Sequence, residues 1–381
     1  MSEKSIPRRR PRLDDKDFTG GGIHMLPSRI RGTTGDEALD ARIVEIAREA
    51  GCAESSVGLV AEMIITAIKT GRDNTGAADL KLITRALKEM RRANRVFHPY
   101  RQTRKVVCYG SARTTTDRPE YQAAVHFAKR MVEEGYMVIT GAGDGIMGAA
   151  QKGAGRDNSF GLNIALPFEQ SANETIHGDP KLIEFNYFFT RKLAFVKEAH
   201  AFALFPGGFG TMDEGFELLT LIQTGKSVVQ PIVMIDAPGG TYWKTFDRFL
   251  REHFLRLGLI SPEDFNLFHI TDSVEDAIAE IERFFSVFHS YRQVGSELVI
   301  RLNRALPPEA VESLNHDFHD LLAKGQFVQR DALPVEADEP DIELLPRLVY
   351  SAKRKNFGRL RQLIDTINRL GAETNGASNG E

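Results

Sequence analysis

Cysteine is almost missing from this chain: Cys52 and Cys108 are the two present, and neither sits in a CxxC or Cys/His grouping. That excludes a disulfide framework and a thiolate metal site, and it makes a reduced, cytoplasmic setting the expectation. Long apolar runs are missing as well. None approaches the roughly 18 residues needed to cross a bilayer, so no membrane span is expected. An excess of one charge is the third absence: 49 Lys+Arg against 52 Asp+Glu leave a formal net charge of -3. Such a balance provides no global field to draw the protein onto nucleic acid or an anionic membrane, so any anion it recognises is held locally. His177, His200 and His253 are scattered without HExxH-type spacing, and His316 and His319 share a helix face with no third ligand, so no metal is expected. The start, MSEKSIPRRRPRLDD, is basic but lacks the apolar core of a signal peptide.

What is present is ordinary globular stock, 42% hydrophobic and 27% charged, over 381 residues. At about 100 to 200 residues per domain this suggests two or three domains. Residues 1–34 show no apolar period and read as a flexible arm. Residues 35–100 turn helical: Ile43, Ile46 and Ala47, then Val60, Met63, Ile64 and Ile68, then Leu80, Ile83 and Leu87 recur at helical spacing, with Gly51 and Gly71 as stops. From Lys105 onward, short apolar runs over 106–110, 136–140, 161–167, 202–205 and 232–235 alternate with helical stretches. This alternation predicts that residues 101–286 form an α/β domain, a doubly wound, Rossmann-like, mostly parallel sheet. A strand over 297–302, a helix over 308–322, strands near Phe327 and Leu348, and a helix over 357–370 predict a small α+β appendage, residues 287–370. The small, polar tail 371–381 is expected to be disordered.

The functional signal lies in the glycines, which gather where strands should become helices. Three turns stand out: Gly110-Ser111-Ala112-Arg113, Gly141-Ala142-Gly143-Asp144-Gly145, and Pro206-Gly207-Gly208-Phe209-Gly210-Thr211. In an open parallel sheet ligands bind at the carboxyl ends of the strands, and the free N–H groups of a helix start suit a phosphate, so a phosphate ester is the expected ligand. The spacing GxGxG after the second strand disfavours a dinucleotide site, and Gly225-Lys226-Ser227 ends a helix with Thr220 where a P-loop has glycine. Glu214 lies three residues after Thr211, which is compatible with a structural capping box. It is also compatible with a carboxylate facing the ligand crevice, and such a group beside a phosphate needs a cation, for which Arg191 and Lys192 on the preceding helix are the candidates.

PGGFGTMDE (206–214) fits the PGGxGTxxE signature of the LOG (Lonely Guy) family of nucleoside 5′-monophosphate phosphoribohydrolases, and Arg191-Lys192 fits the Arg-Lys pair upstream of it. The first glycine turn and TGAGDGIMGAA resemble the family's other glycine loops, with Ala142 in place of a glycine common in shorter members; the resemblance spans about residues 103–286. It implies hydrolysis of a purine or cytokinin-type nucleotide to free base and ribose 5-phosphate, without metal or cofactor, in a homo-oligomer. By the same resemblance Glu214 is the catalytic carboxylate and Arg191 its cationic partner. Gly207, Gly208, Gly210, Thr211 and Lys192 are then expected to cradle the phosphate, Gly143 and Gly145 to line the opposite wall, and Ser111 and Arg113 to read the base or ribose. A non-catalytic nucleotide or cofactor carrier on the same loops is the alternative. A pyridoxal-dependent decarboxylase would need a Schiff-base lysine, which the glycine-loop domain does not identify.

Two further expectations concern partners. Phe216, Leu218, Leu219, Leu221, Phe246, Phe249, Leu250 and Phe254 offer apolar surface for self-association or for plain core packing. The basic run Lys353-Arg354-Lys355 with Arg359 and Arg361 reads as a solvated helix face paired with the acidic stretch 336–343, or as a site for an anionic regulator; nucleic acid ranks below both.

Overall fold

The computed structural model describes residues 32–166, 172–336, 342–353 and 356–377, so the arm expected over 1–34 lies almost wholly outside the described residues. The chain divides into two units, Met25–Arg92, and Met1–His24 with Ala93–Glu381. The first unit is helical: α1 (Glu37–Glu49), α2 (Glu54–Arg72) and most of α3 (Ala77–Phe97). Asp36 caps α1 by accepting the Ala38 and Leu39 N–H groups at 3.0 and 3.1 Å, and Ile43, Ala61 and Ile65 make the small core of α1 and α2.

The second unit continues with β1 (Lys105–Tyr109), α4 (Pro119–Glu133), β2 (Met137–Thr140), α5 (Ile146–Ala154), β3 (Ser159–Ile164), β4 (Leu182–Phe185), α6 (Phe188–Glu198), β5 (Ala201–Leu204), α7 (Phe209–Gln223), β6 (Ile232–Ile235), α8 (Tyr242–Phe249), β7 (His269–Thr271) and α9 (Val274–Phe284). Its seven strands make one parallel sheet in the order β4-β3-β2-β1-β5-β6-β7. Phe127, Met131 and Ile146 of α4 and α5 belong to the core on one face, and Phe195, Leu218 and Trp243 of α6, α7 and α8 to the core on the other. With both faces covered, every residue of β1, β2, β5 and β6 is buried, which is why these strands read as continuous apolar runs. The outermost strands β4 and β7 escaped the sequence reading for the same reason: they are half-covered, and Glu184 in β4 faces out.

The chain goes on through β8 (Phe288–Val294), β9 (Glu297–Leu302), α10 (Pro308–Asp317), β10 (Leu322–Arg330), β11 (Arg347–Ala352) and α11 (Phe357–Ala377). A second, antiparallel sheet runs β10-β11-β9-β8; polar His289, Ser290, Arg292 and Gln293 hid β8 in the sequence. This α+β part shares a hydrophobic core with the first sheet. Ile300, Leu348, Leu363 and Ile367 belong to the same core cluster as Phe202 and Leu218, and the Asn368 amide oxygen accepts the Val287 and Phe288 N–H groups at 3.0 and 2.8 Å. The Phe357 ring lies so close to Gly225, at φ +69°, that a Cβ there would stand 2.2 Å from it. The helix α11 runs to Ala377, and residues 378–381 of the expected tail lie outside the described residues.

Burial bears on two surface expectations. Arg361 is buried, pairs with Glu280 and with Asp365 at 2.8 Å, and lies over the Phe284 ring, while Arg359 pairs with Asp320 at 3.0 Å. These two arginines therefore fasten α11 to its neighbours, and Glu336 is bound by Arg301 and Arg347 rather than by the basic run; Arg354 and Lys355 lie outside the described residues. Leu218, Phe246 and Leu250 are buried, and Phe216, Leu219 and Phe254 pack against the same core, so that surface is used internally. Among the described residues the exposed aromatic side chains are Phe249 of that set and, outside it, Phe188, Phe189 and Phe209.

Candidate active site

Strand order reverses between β1 and β5, which opens a crevice at their carboxyl ends. The three glycine turns interlock there. The Ser111 N–H donates to the Pro206 carbonyl at 3.2 Å, and the Ile146 N–H donates to the Ser111 carbonyl at 3.0 Å. Gly145, at φ +62°, lies where a Cβ would stand 2.3 Å from the Ser111 carbonyl oxygen, and a Cβ at Gly207 would fall 2.0 Å from Thr211 Oγ1. Only glycine permits this packing. Gly208 and Gly210 differ: a Cβ on either would meet nothing within 4 Å, so their backbone faces open space.

The helix α7 begins at this loop with Gly208 as its N-cap and without a side-chain cap; its first backbone bond runs from the Met212 N–H to the Gly208 carbonyl at 3.1 Å. The N–H groups of Phe209, Gly210 and Thr211 thus lie ahead of the helical bonds, at the positive end of the helix dipole. The capping-box reading of Thr211 and Glu214 does not hold. One turn into the helix, the Glu214 side chain turns instead to Arg191 on α6, Oε1 to Nη2 at 3.4 Å.

Glu214 is 8% exposed. Burial raises its pKa to about 7, against the opposing pull of Arg191 and Lys192. Arg191 is also largely buried, packed near the Phe188 and Phe195 rings, and its Nε has no hydrogen-bond partner. A Cβ at Gly141 would stand 3.8 Å from Arg191 Nη1, which places the second glycine loop beside the pair. A carboxylate that titrates near neutral pH, next to a guanidinium with unused donor capacity and an uncapped helix end, is equipped to bind an anion and to exchange a proton beside it.

The structure brings together Ser111, Gly145, Gly207 and Thr211, and separately Arg191 and Glu214. Lys192 is set apart: its ammonium binds Asp213 and Glu217, both at 2.8 Å, and holds those carboxylates. Arg113 does not join the pair. Its side chain lines a cleft of about 260 Å³ with Ser111, Thr114, Thr115, Arg118, Glu120 and Pro206. Two residues were missed. The Tyr242 hydroxyl donates to the Gly207 carbonyl at 2.6 Å, and Asn173 holds the second glycine loop. Tyr242 follows Gly239-Gly240-Thr241 at the carboxyl end of β6, a turn that the strand-end argument applied to the other three could have included. Among the described residues no helix is long and apolar enough to cross a membrane, and no group of three or more His, Cys, Asp or Glu gathers as a metal site.

Comparison with known proteins bears on the same segment. Residues 147–281 match the model of a family described as "Possible lysine decarboxylase". The chain is 26% identical over 184 residues to a probable cytokinin riboside 5′-monophosphate phosphoribohydrolase of Oryza sativa subsp. japonica, covering 46% of this chain and 76% of that protein. It is 24% identical over 200 residues to a cytokinin riboside 5′-monophosphate phosphoribohydrolase of Arabidopsis thaliana, covering 51% and 88%. Among solved structures, a molybdenum cofactor binding protein from Rippkaea orientalis has 18% identity and a TM-score of 0.34 over 47% of this chain and 93% of that one. The resemblance to the LOG family, read from Arg191-Lys192 and PGGFGTMDE, is borne out by the family match and the curated relatives.

Proposed function

We propose that this protein hydrolyses the N-glycosidic bond of nucleoside 5′-monophosphates, with Glu214 and Arg191 as its catalytic residues. The observation that carries this reading is the buried Glu214, poised near pH 7 beside Arg191 at the uncapped end of α7. The curated relatives, named for the same reaction on cytokinin riboside 5′-monophosphates, agree with it. In the reaction the C1′–N bond breaks and the base leaves with the electron pair, taking up one proton from solvent, to which Glu214 afterwards returns the proton it has accepted. A water oxygen bonds to C1′ and its proton passes to Glu214. As the sugar gains oxocarbenium character the Glu214 carboxylate stabilises it, while Arg191 and the N–H groups at Phe209, Gly210 and Thr211 hold the anionic end of the substrate. A carrier that only binds anions gains little from an acid at this place, since a carboxylate repels the ligand.

Incubation with ribo- and deoxyribonucleoside monophosphates, N6-substituted adenosines included, should release free base. Binding without release from any of them, at high protein concentration, would overturn the hydrolase in favour of a carrier. Glu214→Gln and Arg191→Ala should each lower kcat by about 10² or more. Nucleosides without the 5′-phosphate should react poorly. Turnover should survive EDTA, because Glu214 and Arg191 fill the proton-transfer and electrostatic roles; loss on chelation with recovery on adding a divalent ion would refute metal independence.

A further inference from the structure

The loop Gly141–Gly145 is held in a conformation that its own sequence does not favour. Ala142 has φ +65°, in the left-handed region that residues with a side chain rarely adopt, and it is fully buried. Its N–H donates to Thr140 Oγ1 at 3.0 Å. The main restraint is Asn173, which is 7% exposed. The backbone N–H of Asn173 donates to the Ala142 carbonyl at 2.8 Å, and its side-chain Nδ2 lies 2.9 Å from both the Ala142 and the Gly143 carbonyls and 2.6 Å from Gln151 Oε1. Gln151 fixes which way the amide faces. Its own Nε2 donates to the Phe160 carbonyl at 3.0 Å, so Oε1 is the atom it presents, and Asn173 must meet it with nitrogen. The Asn173 oxygen is left buried without a partner. A group that accepts this loss is spending its donors on the loop.

The peptide unit is planar and trans, so a carbonyl and the following N–H point in opposite directions. With the carbonyls of Ala142 and Gly143 both drawn onto Asn173, the N–H groups of Gly143 and Asp144 face away from it, and Gly143 is half-buried and Asp144 exposed. Successive N–H groups turned the same way form an anion nest. We infer that Asn173 is a positioning residue: by gripping the Ala142 and Gly143 carbonyls it aims the Gly143 and Asp144 N–H groups at the substrate's 5′-phosphate, opposite the start of α7. This rests on the nucleotide reading above and adds to it a second anion-binding element with the residue that sets it.

The test uses the full-length protein labelled with 15N-glycine, adenosine 5′-monophosphate, adenosine and inorganic phosphate as probes, and Asn173→Ala. Asn368→Ala, which removes another buried amide, one that holds Val287 and Phe288 and not the loop, controls for general loosening. Asn173→Ala should weaken binding of the nucleotide by about 10-fold or more, raise KM more than it lowers kcat, and leave adenosine binding unchanged; Asn368→Ala should lower Tm without this split. Unchanged nucleotide affinity, or an equal loss for adenosine, would overturn the inference. If the wild-type protein neither binds nor cleaves the nucleotide, the functional reading fails by itself. The nest is then judged by phosphate alone: a shift of the Gly143 amide signal in the wild type that is absent in Asn173→Ala supports it, and no shift in the wild type refutes it.

Discussion

Two buried groupings in this protein use the same residue types to opposite effect. In the second sheet Glu336 lies between Arg301 and Arg347, which β9 and β11 place directly opposite each other. All three side chains are almost wholly inaccessible; Arg301 approaches Glu336 at 2.8 Å, Arg347 at 3.0 Å, and the Leu333 N–H adds a bond at 3.1 Å. Burial alone would raise the Glu336 pKa, but the Leu333 N–H and the two guanidiniums outweigh it and hold the carboxyl below its ordinary value. At the crevice Glu214 has one guanidinium, one contact of 3.4 Å and no backbone donor, so burial wins and its pKa rises. A fully satisfied carboxylate is a fastening; an under-satisfied one is available for chemistry.

The contrast can be broken from either side. Glu336→Gln leaves the two guanidiniums without their shared carboxylate and should lower stability by about 3 to 5 kcal/mol, measured by urea unfolding at pH 7. Glu214→Gln should do the reverse. A pKa raised from 4.5 to about 7 means that ionising the folded protein is unfavourable, so wild-type stability declines as pH rises through that interval. The variant should be more stable than wild type at pH 8, by up to roughly 3 kcal/mol, with the difference shrinking towards pH 4.5. Glu336 has the opposite sign: its lowered pKa stabilises at neutral pH, and that contribution is lost only as the carboxyl protonates in acid.

In kinetics, kcat/KM should fall as pH drops below about 7, where Glu214 takes up its proton. Arg191→Met removes a charge that lowers the Glu214 pKa, and should move that limb to higher pH as well as slow turnover. A limb that stays in place would show that Glu214 is not the group titrating. The smallest effect belongs to Lys192→Ala. Since Lys192 is bound to Asp213 and Glu217, it should lower kcat/KM by less than about 10-fold, measured on the best nucleotide substrate, and stability by about 1 kcal/mol or less. A larger loss would place Lys192 on the substrate.

The legible parts of this protein were those that physics writes locally. The central strands could be read because burial on both faces demands unbroken apolar runs, and the turns at Gly145 and Gly207 because no other residue fits there. The strands β4, β7 and β8 were hidden because a half-covered or polar strand has no such run. Arg361 could not be placed from the sequence for a related reason: a charge pattern does not say which charges are buried, and Arg361 and Glu280 meet across 81 positions of sequence.

The sequence by itself determined a doubly wound α/β core, the glycine turns at its strand ends and the pairing of an Arg-Lys dipeptide with PGGFGTMDE. It could not decide what each charge would meet. Only the tertiary structure separated Arg191, beside Glu214, from Lys192, drawn to Asp213 and Glu217, and made Glu336 a fastening while leaving Glu214 near neutrality. It also placed Asn173 against a loop some thirty residues earlier in the chain. The reason is physical: strand and turn preferences act over a few residues, whereas desolvation and hydrogen-bond satisfaction depend on groups from distant segments that meet only when the chain is folded.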